Sequence, residues 1–304
     1  TVLANFEGVS REDWIARIEA DLRGKALKET EWIVDADTRV SPFAHAQDST
    51  VTSNVGFDPR WEIAEYFIVD DAVKSNNIIL DALQGGCETL LIEVDGVEDW
   101  DVLFKDISLE MIKTYIIPTR NEQTELVIMS LSEWLDNDSM GDLEISVRPP
   151  GGIKLGASAS DDRTVTDDLA NTVRAGLELL ESGYNGETVE CTAQIGVSYF
   201  VEIARLRALQ ILWQNAMTAL ERNGPALLIE AHFSDRELSD DQHINMISAS
   251  TKALSAICGG AQRLVIAPAS TETEDFHRRI SRNVHHLLRY ETRLESVTDP
   301  VAGS

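Results

Sequence analysis

Three stretches of this chain are written in one pattern. ILDALQGGCETLLIEVD at residues 79–95, ALSAICGGAQRLVIAPA at 253–269 and ALERNGPALLIEAHF at 219–233 each read as a helix end, a glycine break and an apolar strand. Glycine ends a helix by taking a left-handed conformation that other residues resist. The strands after these breaks are short and apolar, as expected where both faces are covered. Strands are predicted at 89–95, 113–118, 142–148, 153–158, 189–195, 226–232, 263–268 and 296–301. Helices are predicted at 165–182, 198–222, 243–257 and 273–292. Eight strands with intervening helices over such a length point to an α/β chain folded as a (β/α)8 barrel. An open doubly wound sheet is the alternative, but no GxGxxG turn marks a dinucleotide site.

The first 55 residues lack this pattern. SREDWIARIEADLRGK signals one helix, with Ser10 as cap, Glu12 and Asp13 in its first turn, and Trp14, Ile15, Ile18 and Leu22 as its stripe. Residues 25–60 are irregular. The expected organisation is an extended N-terminal arm over 1–55 and a barrel over 56–304. The first residue is Thr1, so a piece of a longer chain is expected.

The chain carries 52 acidic against 26 basic residues, a formal charge of -26. Nucleic acid and anionic membranes are therefore poor partners, since both demand clustered Lys and Arg. No apolar run reaches membrane-spanning length. Three cysteines with no CxxC pair argue against a structural zinc site and fit a reducing, cytoplasmic setting. No metal site is expected.

The candidate chemistry is sparse. His285 and His286 sit on the last helix, whose predicted stripe is Phe276, Ile280, Val284, Leu287 and Leu294. That stripe turns His286 outward and leaves His285 at its flank, so both read as surface or interface residues. His45 and His243 read as solvated. Glu202, Arg205 and Arg207 read as a salt-bridged helix face. The weak catalytic candidates are His232 and Asp235, at the end of the strand near 226–232, where barrel enzymes place their chemistry.

The last part of the chain carries a resemblance. SYFVEIARLRALQILW, DDQHINMISASTKALSAICGGAQRLVIAP and DFHRRISRNVHHLLRYETRLESVTDPVAGS resemble the barrel domain of methylmalonyl-CoA mutases. Glu202, Ile203, Ala204, Leu206, Arg207, Ala208, Leu212 and Trp213 match the family's EIAKLRAARxLW helix. Gly259, Gly260, Arg282, Asn283, Asp299, Pro300, Ala302, Gly303 and Ser304 match the later motifs. The likeness is strong from about 190 to 304 and weaker but collinear from about 60.

The resemblance implies a chain that is one of two kinds, a catalytic large subunit or a homologous small one. Catalytic chains carry a Tyr-His pair in a SGYHMQEAGAT-type segment on the fourth strand. Here the corresponding stretch is RPPGGIKLGASAS, 148–160, and no Tyr or His occurs between Tyr115 and Tyr184. The family's QDPYNN has become Asp241-Gln242-His243, with Gln242 and Asn245 kept. The resemblance therefore implies the small, non-catalytic subunit of an adenosylcobalamin-dependent mutase, paired with a large subunit as a heterodimer. That large subunit would interconvert methylmalonyl-CoA and succinyl-CoA and bind the cobalamin; no cofactor is expected in this chain, and a C-terminal cobalamin-type domain is absent from it. Two rivals stand: an active acyl-CoA mutase barrel with a divergent site, and an unrelated barrel enzyme using His232 and Asp235.

Overall fold

The computed structural model describes residues 9–44, 58–96, 98–137, 145–150, 152–156, 164–221, 224–233, 238–270 and 274–301. Eight parallel strands build one sheet: β1 Glu62–Ile68, β2 Thr89–Val94, β3 Lys113–Pro118, β4 Ile145–Val147, β5 Ile153–Leu155, β6 Thr188–Ile195, β7 Ala226–Phe233 and β8 Arg263–Val265. The helices are α1 Arg11–Asp21, α2 Ala72–Gln84, α3 Trp100–Leu103, α4 Thr124–Asn137, α5 Val165–Glu181, α6 Tyr199–Ala219, α7 Gln242–Cys258 and α8 Glu274–His286.

The strands neighbour one another in chain order, and β8 pairs back onto β1 through Arg263↔Glu62. This is the cyclic order of a (β/α)8 barrel, so the expected α/β class holds as a curled, TIM-like fold. One ladder is not formed among the described residues, that between β4 and β5. The link between them is five residues, 148–152. A parallel crossover needs a dozen or more, and Pro149 and Pro150 bring no N–H to a ladder.

Two strand expectations change. The first strand is Glu62–Ile68, which its two glutamates concealed, and every later strand moves up one place in the barrel. The strand expected at 296–301 does not form. A 3-10 turn spans Leu294–Ser296 instead, Pro300 comes soon after it, and Asp299 is held by Arg207 on α6, with Nη1–Oδ1 3.0 Å and Nη2–Oδ2 2.6 Å.

The two Gly-Gly breaks behave as read, while Asn223 of the third break lies outside the described residues. Gly86 has φ +92° and Gly260 φ +89°. In both units the same pair of hydrogen bonds closes the helix: Gly86 N to Leu83 O and Cys87 N to Ala82 O, then Gly260 N to Ile257 O and Ala261 N to Ala256 O. The repeat in sequence is therefore a repeat in capping geometry.

Apolar packing lies outside the sheet. One cluster joins β1–β3 to α2, α3 and α4 around Ile79, Ile92 and Leu103. Another joins β5–β8 to the later helices around Leu206, Trp213 and Ile229. Inside the sheet's curl the apolar cluster is small: Ala64, Leu91 and Val265, with Tyr66, Tyr115 and Ile117 against them.

The face expected for the last helix is corrected. Phe276 and Leu287 of its predicted stripe are 44% and 55% exposed. The buried face of α8 holds His277, Ser281, Arg282, Val284 and His285. Ion pairs make this possible: Arg282 reaches Glu65 at 3.0 Å and Asp81 at 2.6 Å, so a polar face packs where an apolar one was read. His285 is 1% exposed, and its Nδ1 accepts from the Trp61 indole at 3.2 Å. His286 Nε2 meets the Gly85 carbonyl at 2.9 Å. His285 is therefore buried, and His286 is half-buried.

Before the barrel, Ser10 caps α1 as read, accepting from Asp13 N at 3.1 Å, yet no α1 residue is buried. A two-residue antiparallel ladder comes next, Trp32–Ile33 with Arg39–Val40. Asp35 in its turn accepts from Val165 N at 2.8 Å, at the start of α5.

Candidate functional site

Alternation along the strands sends every second side chain into the barrel. On β1 these are Glu62 and Tyr66, on β3 Lys113 and Tyr115, on β6 Glu190, on β7 Glu230 and His232, on β8 Arg263. Arg148, just past β4, joins them. The inward face of these strands thus sets a charged group beside the small apolar cluster.

Arg263 is the hub and is fully buried. Its Nε donates to Glu62 Oε2 at 2.8 Å, Nη1 to Glu230 Oε2 at 2.9 Å, and Nη2 to the Tyr115 hydroxyl at 2.9 Å. Arg148 Nη1 donates to both Glu230 oxygens at 2.9 and 3.0 Å, and its Nη2 pairs with Glu190. Tyr115 donates in turn to Glu190 Oε1 at 2.8 Å. Both guanidinium groups lie against the Tyr115 ring, 4.3 and 4.6 Å from its centre. Lys113 and Thr89 complete the partners of Glu62, at 2.5 and 3.1 Å.

The electrostatics follow from this crowding. Burial opposes ionisation of Glu230, but the hydrogen bond from His232 and the Arg148 guanidinium hold its carboxyl well below the usual range. Burial likewise works against the Arg263 charge, yet Tyr115, Glu230 and Glu62 raise it above an ordinary guanidinium. Burial and the hydrogen bond to Glu93 push the Tyr66 phenol up. At neutral pH each of these groups is fixed in its resting form, and a general acid or base works best with a pKa near the operating pH.

Of the sequence candidates, His232 lies here. Its Nε2 is 2.8 Å from Glu230 Oε1 and its ring meets the edge of Tyr66 at 6.2 Å. Asp235 and His45 lie outside the described residues, and His243 is exposed as read. Gln242 and Asn245 prove to be braces: Gln242 Oε1 meets His277 Nε2 at 2.9 Å, and Asn245 Nδ2 donates to Ser239 and Ala269 carbonyls. Glu202 and Arg205 are paired as read but buried, with Arg205 also donating to the Gln194 carbonyl at 2.5 Å. Of the stretch 148–160, equated with the catalytic Tyr-His segment, the described residues 148–150 and 152–156 belong to the β4–β5 link and the fifth strand rather than the fourth. Burial pushes the Cys87 and Cys191 thiols up to about 12. Among the described residues no three His, Cys, Asp or Glu gather as a metal site, and no helix is long and apolar enough to cross a membrane.

Arg263, Arg148, Glu190 and Tyr115 were not singled out from sequence. Part of the signal was present: TVECTAQI and ALLIEAHF carry polar residues two apart within apolar strands.

The family model for methylmalonyl-CoA mutase matches residues 163–304. The small subunit of the Porphyromonas gingivalis mutase is 25% identical, across all of this chain and 60% of that protein. The small subunit from Propionibacterium freudenreichii subsp. shermanii is 25% identical over 87% of this chain and 49% of its own length. A Rhizobium meliloti methylmalonyl-CoA mutase is 31% identical over 46% of the chain and 22% of its own. The chain spans 60% or less of the length of these relatives. Among solved structures, a Yersinia pestis DHPS aligns with a TM-score of 0.42 and 11% identity over 75% of this chain and 95% of its own, too slight a likeness to carry an argument. With the motif residues of α6, α7 and α8 inside the span that the family model matches, the chain from residue 163 onward is similar to the methylmalonyl-CoA mutase family.

Proposed function

We propose that this chain is the small, non-catalytic subunit of an adenosylcobalamin-dependent methylmalonyl-CoA mutase, working as a heterodimer with a catalytic large subunit in the cytoplasm. The observation that carries the reading is the Arg263–Glu230–Arg148–Glu190 network, which pairs the charged side chains inside the barrel with one another. A rearrangement of a thioester needs a free donor at the carbonyl oxygen and a shielded space for the substrate. Here Arg263 and both terminal nitrogens of Arg148 already donate to Glu62, Glu230, Glu190 and Tyr115. Cobalamin supplies radical chemistry when bound. We assign its binding to the large subunit.

The segment before the barrel supports a docking role. Asp35 ties the short ladder to α5, while Trp32, Ile33 and Val40 stay 47%, 56% and 43% exposed. Apolar side chains in such numbers favour burial against a partner.

Two measurements test this. Purified alone with adenosylcobalamin, the chain is expected to show no conversion of methylmalonyl-CoA; turnover by the chain alone would sink the reading. Removal of residues 1–50 is expected to weaken capture of the large subunit; undiminished capture removes the arm from the interface.

A further inference from the structure

Helices α6 and α7 lie side by side outside the barrel. Gln210 on α6 donates to the Gly260 carbonyl at the end of α7 at 2.7 Å, and Leu206 packs against Gly259. Their outward faces differ from the rest of this acidic chain. No exposed residue on either helix is Asp, Glu, Lys or Arg. The outward side chains include Phe200, Ala204 and Leu212 on α6 and Ile244, Ile247 and Ser250 on α7. Phe200 is 73% and Ile247 70% exposed. The α6 charges are spent inward or sideways: Glu202 with Arg205, and Arg207 with Asp299. By contrast α5 exposes Asp167, Arg174, Glu178 and Glu181.

The family-matching run on α6 divides in the same way. Ile203, Leu206 and Trp213 are buried and need no explanation beyond packing. Ala204 and Leu212 belong to the same run yet face outward. Core packing gives no reason for a small residue and an apolar one there.

From this geometry we propose that the α6–α7 face is the surface on which a second barrel, that of the mutase large subunit, packs. The proposal rests on the small-subunit reading and names where the partner sits. Depletion of charge at the centre is what marks a protein interface, more than bulk apolarity. At ~1.5 Å per residue α6 is about 31 Å long, so two adjacent helices offer a footprint of roughly 600 Å2, close to the ~800 Å2 a standard interface takes from each partner. A second copy of this chain is the poorer occupant, because each copy brings a formal charge of -26 and like-charged bodies repel.

The test uses the full chain co-expressed with the methylmalonyl-CoA mutase large subunit of its own organism. The variant is Phe200→Glu with Ile247→Glu; both sites are exposed, and the thermal melt checks the fold. A milder pair, Phe200→Ser with Ile247→Ser, stands in should the first fail to fold. Ala170→Glu on α5 is the control. Expected is a stable complex for wild type and control, and at least a tenfold loss of affinity for the Glu pair. A complex unaffected by the substitutions overturns this inference and leaves the small-subunit reading in place. No complex with wild type overturns both. A wild-type homodimer that the Glu pair dissolves overturns the choice of occupant.

Discussion

The same strands present two opposite surfaces. Outward, β2 shows Leu90 and Ile92, and β7 shows Ile229 and Ala231, all fully buried under helices. Inward, Glu62, Glu190 and Glu230 meet Arg148 and Arg263. The outer layer is held by apolar area, which is non-directional and forgiving of small shifts. The inner layer is held by charge-assisted hydrogen bonds, each with a specific partner. A surface of the first kind can be trimmed. One of the second kind fails as a unit, because removing one partner strands the others in a dry site.

Arg263→Met gives the largest break. It leaves Glu62, Glu230 and the Tyr115 hydroxyl short of a donor. Destabilisation of about 3–5 kcal/mol is expected, read as a shift in the urea midpoint. A loss below about 1 kcal/mol would mean that the inner network is ornamental and that the outer layer alone holds the barrel.

Leu206→Ala probes the outer layer for comparison. Leu206 is fully buried against Gly259, and removing its side chain is expected to cost about 3 kcal/mol. The two variants differ in acid. Glu230 has a folded pKa below its ordinary 4.5, so the stability it contributes is present above that value and fades as pH falls through the folded one. The acid limb of the stability profile should therefore persist in Leu206→Ala and become shallower in Arg263→Met, which removes one guanidinium partner of Glu230 and leaves Arg148 and His232 in place.

The outer layer was legible in the sequence and the inner one was not. The Gly-Gly breaks announced the helix ends, and the apolar runs announced β2, β7 and β8. These are local signals, and local physics fixes them. The inner network is assembled from Arg148, Glu190, Glu230 and Arg263, residues far apart in the chain, and charge partners carry no mark of each other. β1 was missed for the same reason, since EIAEYFI reads as charged until Arg263 and Arg282 are seen opposite Glu62 and Glu65. His285 was placed on the wrong face because α8 buries its polar side. The motif residues Arg207 and Asp299 were legible as family signals, but their pairing was not.

That misplaced histidine gives a smaller and sharper test. Burial lowers the His285 pKa from 6.5 to about 3, with Arg289 and His286 adding to the effect. The Trp61 indole also occupies Nδ1 as a donor, so protonation there would set two donors against each other. A histidine with a depressed folded pKa takes up its proton in the unfolded chain first. Stability is full above the unfolded value and falls as pH drops through the window from 6.5 toward 3. Between pH 7.5 and 5.5 the loss from this residue is about 1.4 kcal/mol. Glu230 is silent in that window, since even its unfolded pKa lies below it. His285→Gln keeps an acceptor for Trp61 and should remove that slope. An unchanged slope in the variant would show that His285 is open to solvent protons.

The smallest expected effect concerns the segment before the barrel, which belongs to neither layer. Asp35 is its described tie, accepting from Val165 N at 2.8 Å, and this bond is the largest influence lowering the Asp35 pKa. Helix α5 has a cap of its own: Thr164 Oγ1 accepts from Asp167 N at 3.2 Å, and Asp167 answers Thr164 N at 3.3 Å. Loss of Asp35 therefore leaves α5 capped and frees the ladder. Asp35→Ala is expected to cost no more than about 1 kcal/mol in global unfolding, the size of one capping bond. Amide exchange should rise at Trp32, Ile33 and Val40 while the protected amides of β2 and β7 stay unchanged. Should β2 and β7 exchange faster as well, the segment is part of the barrel's cooperative unit, and the division between a self-sufficient barrel and a docking arm fails.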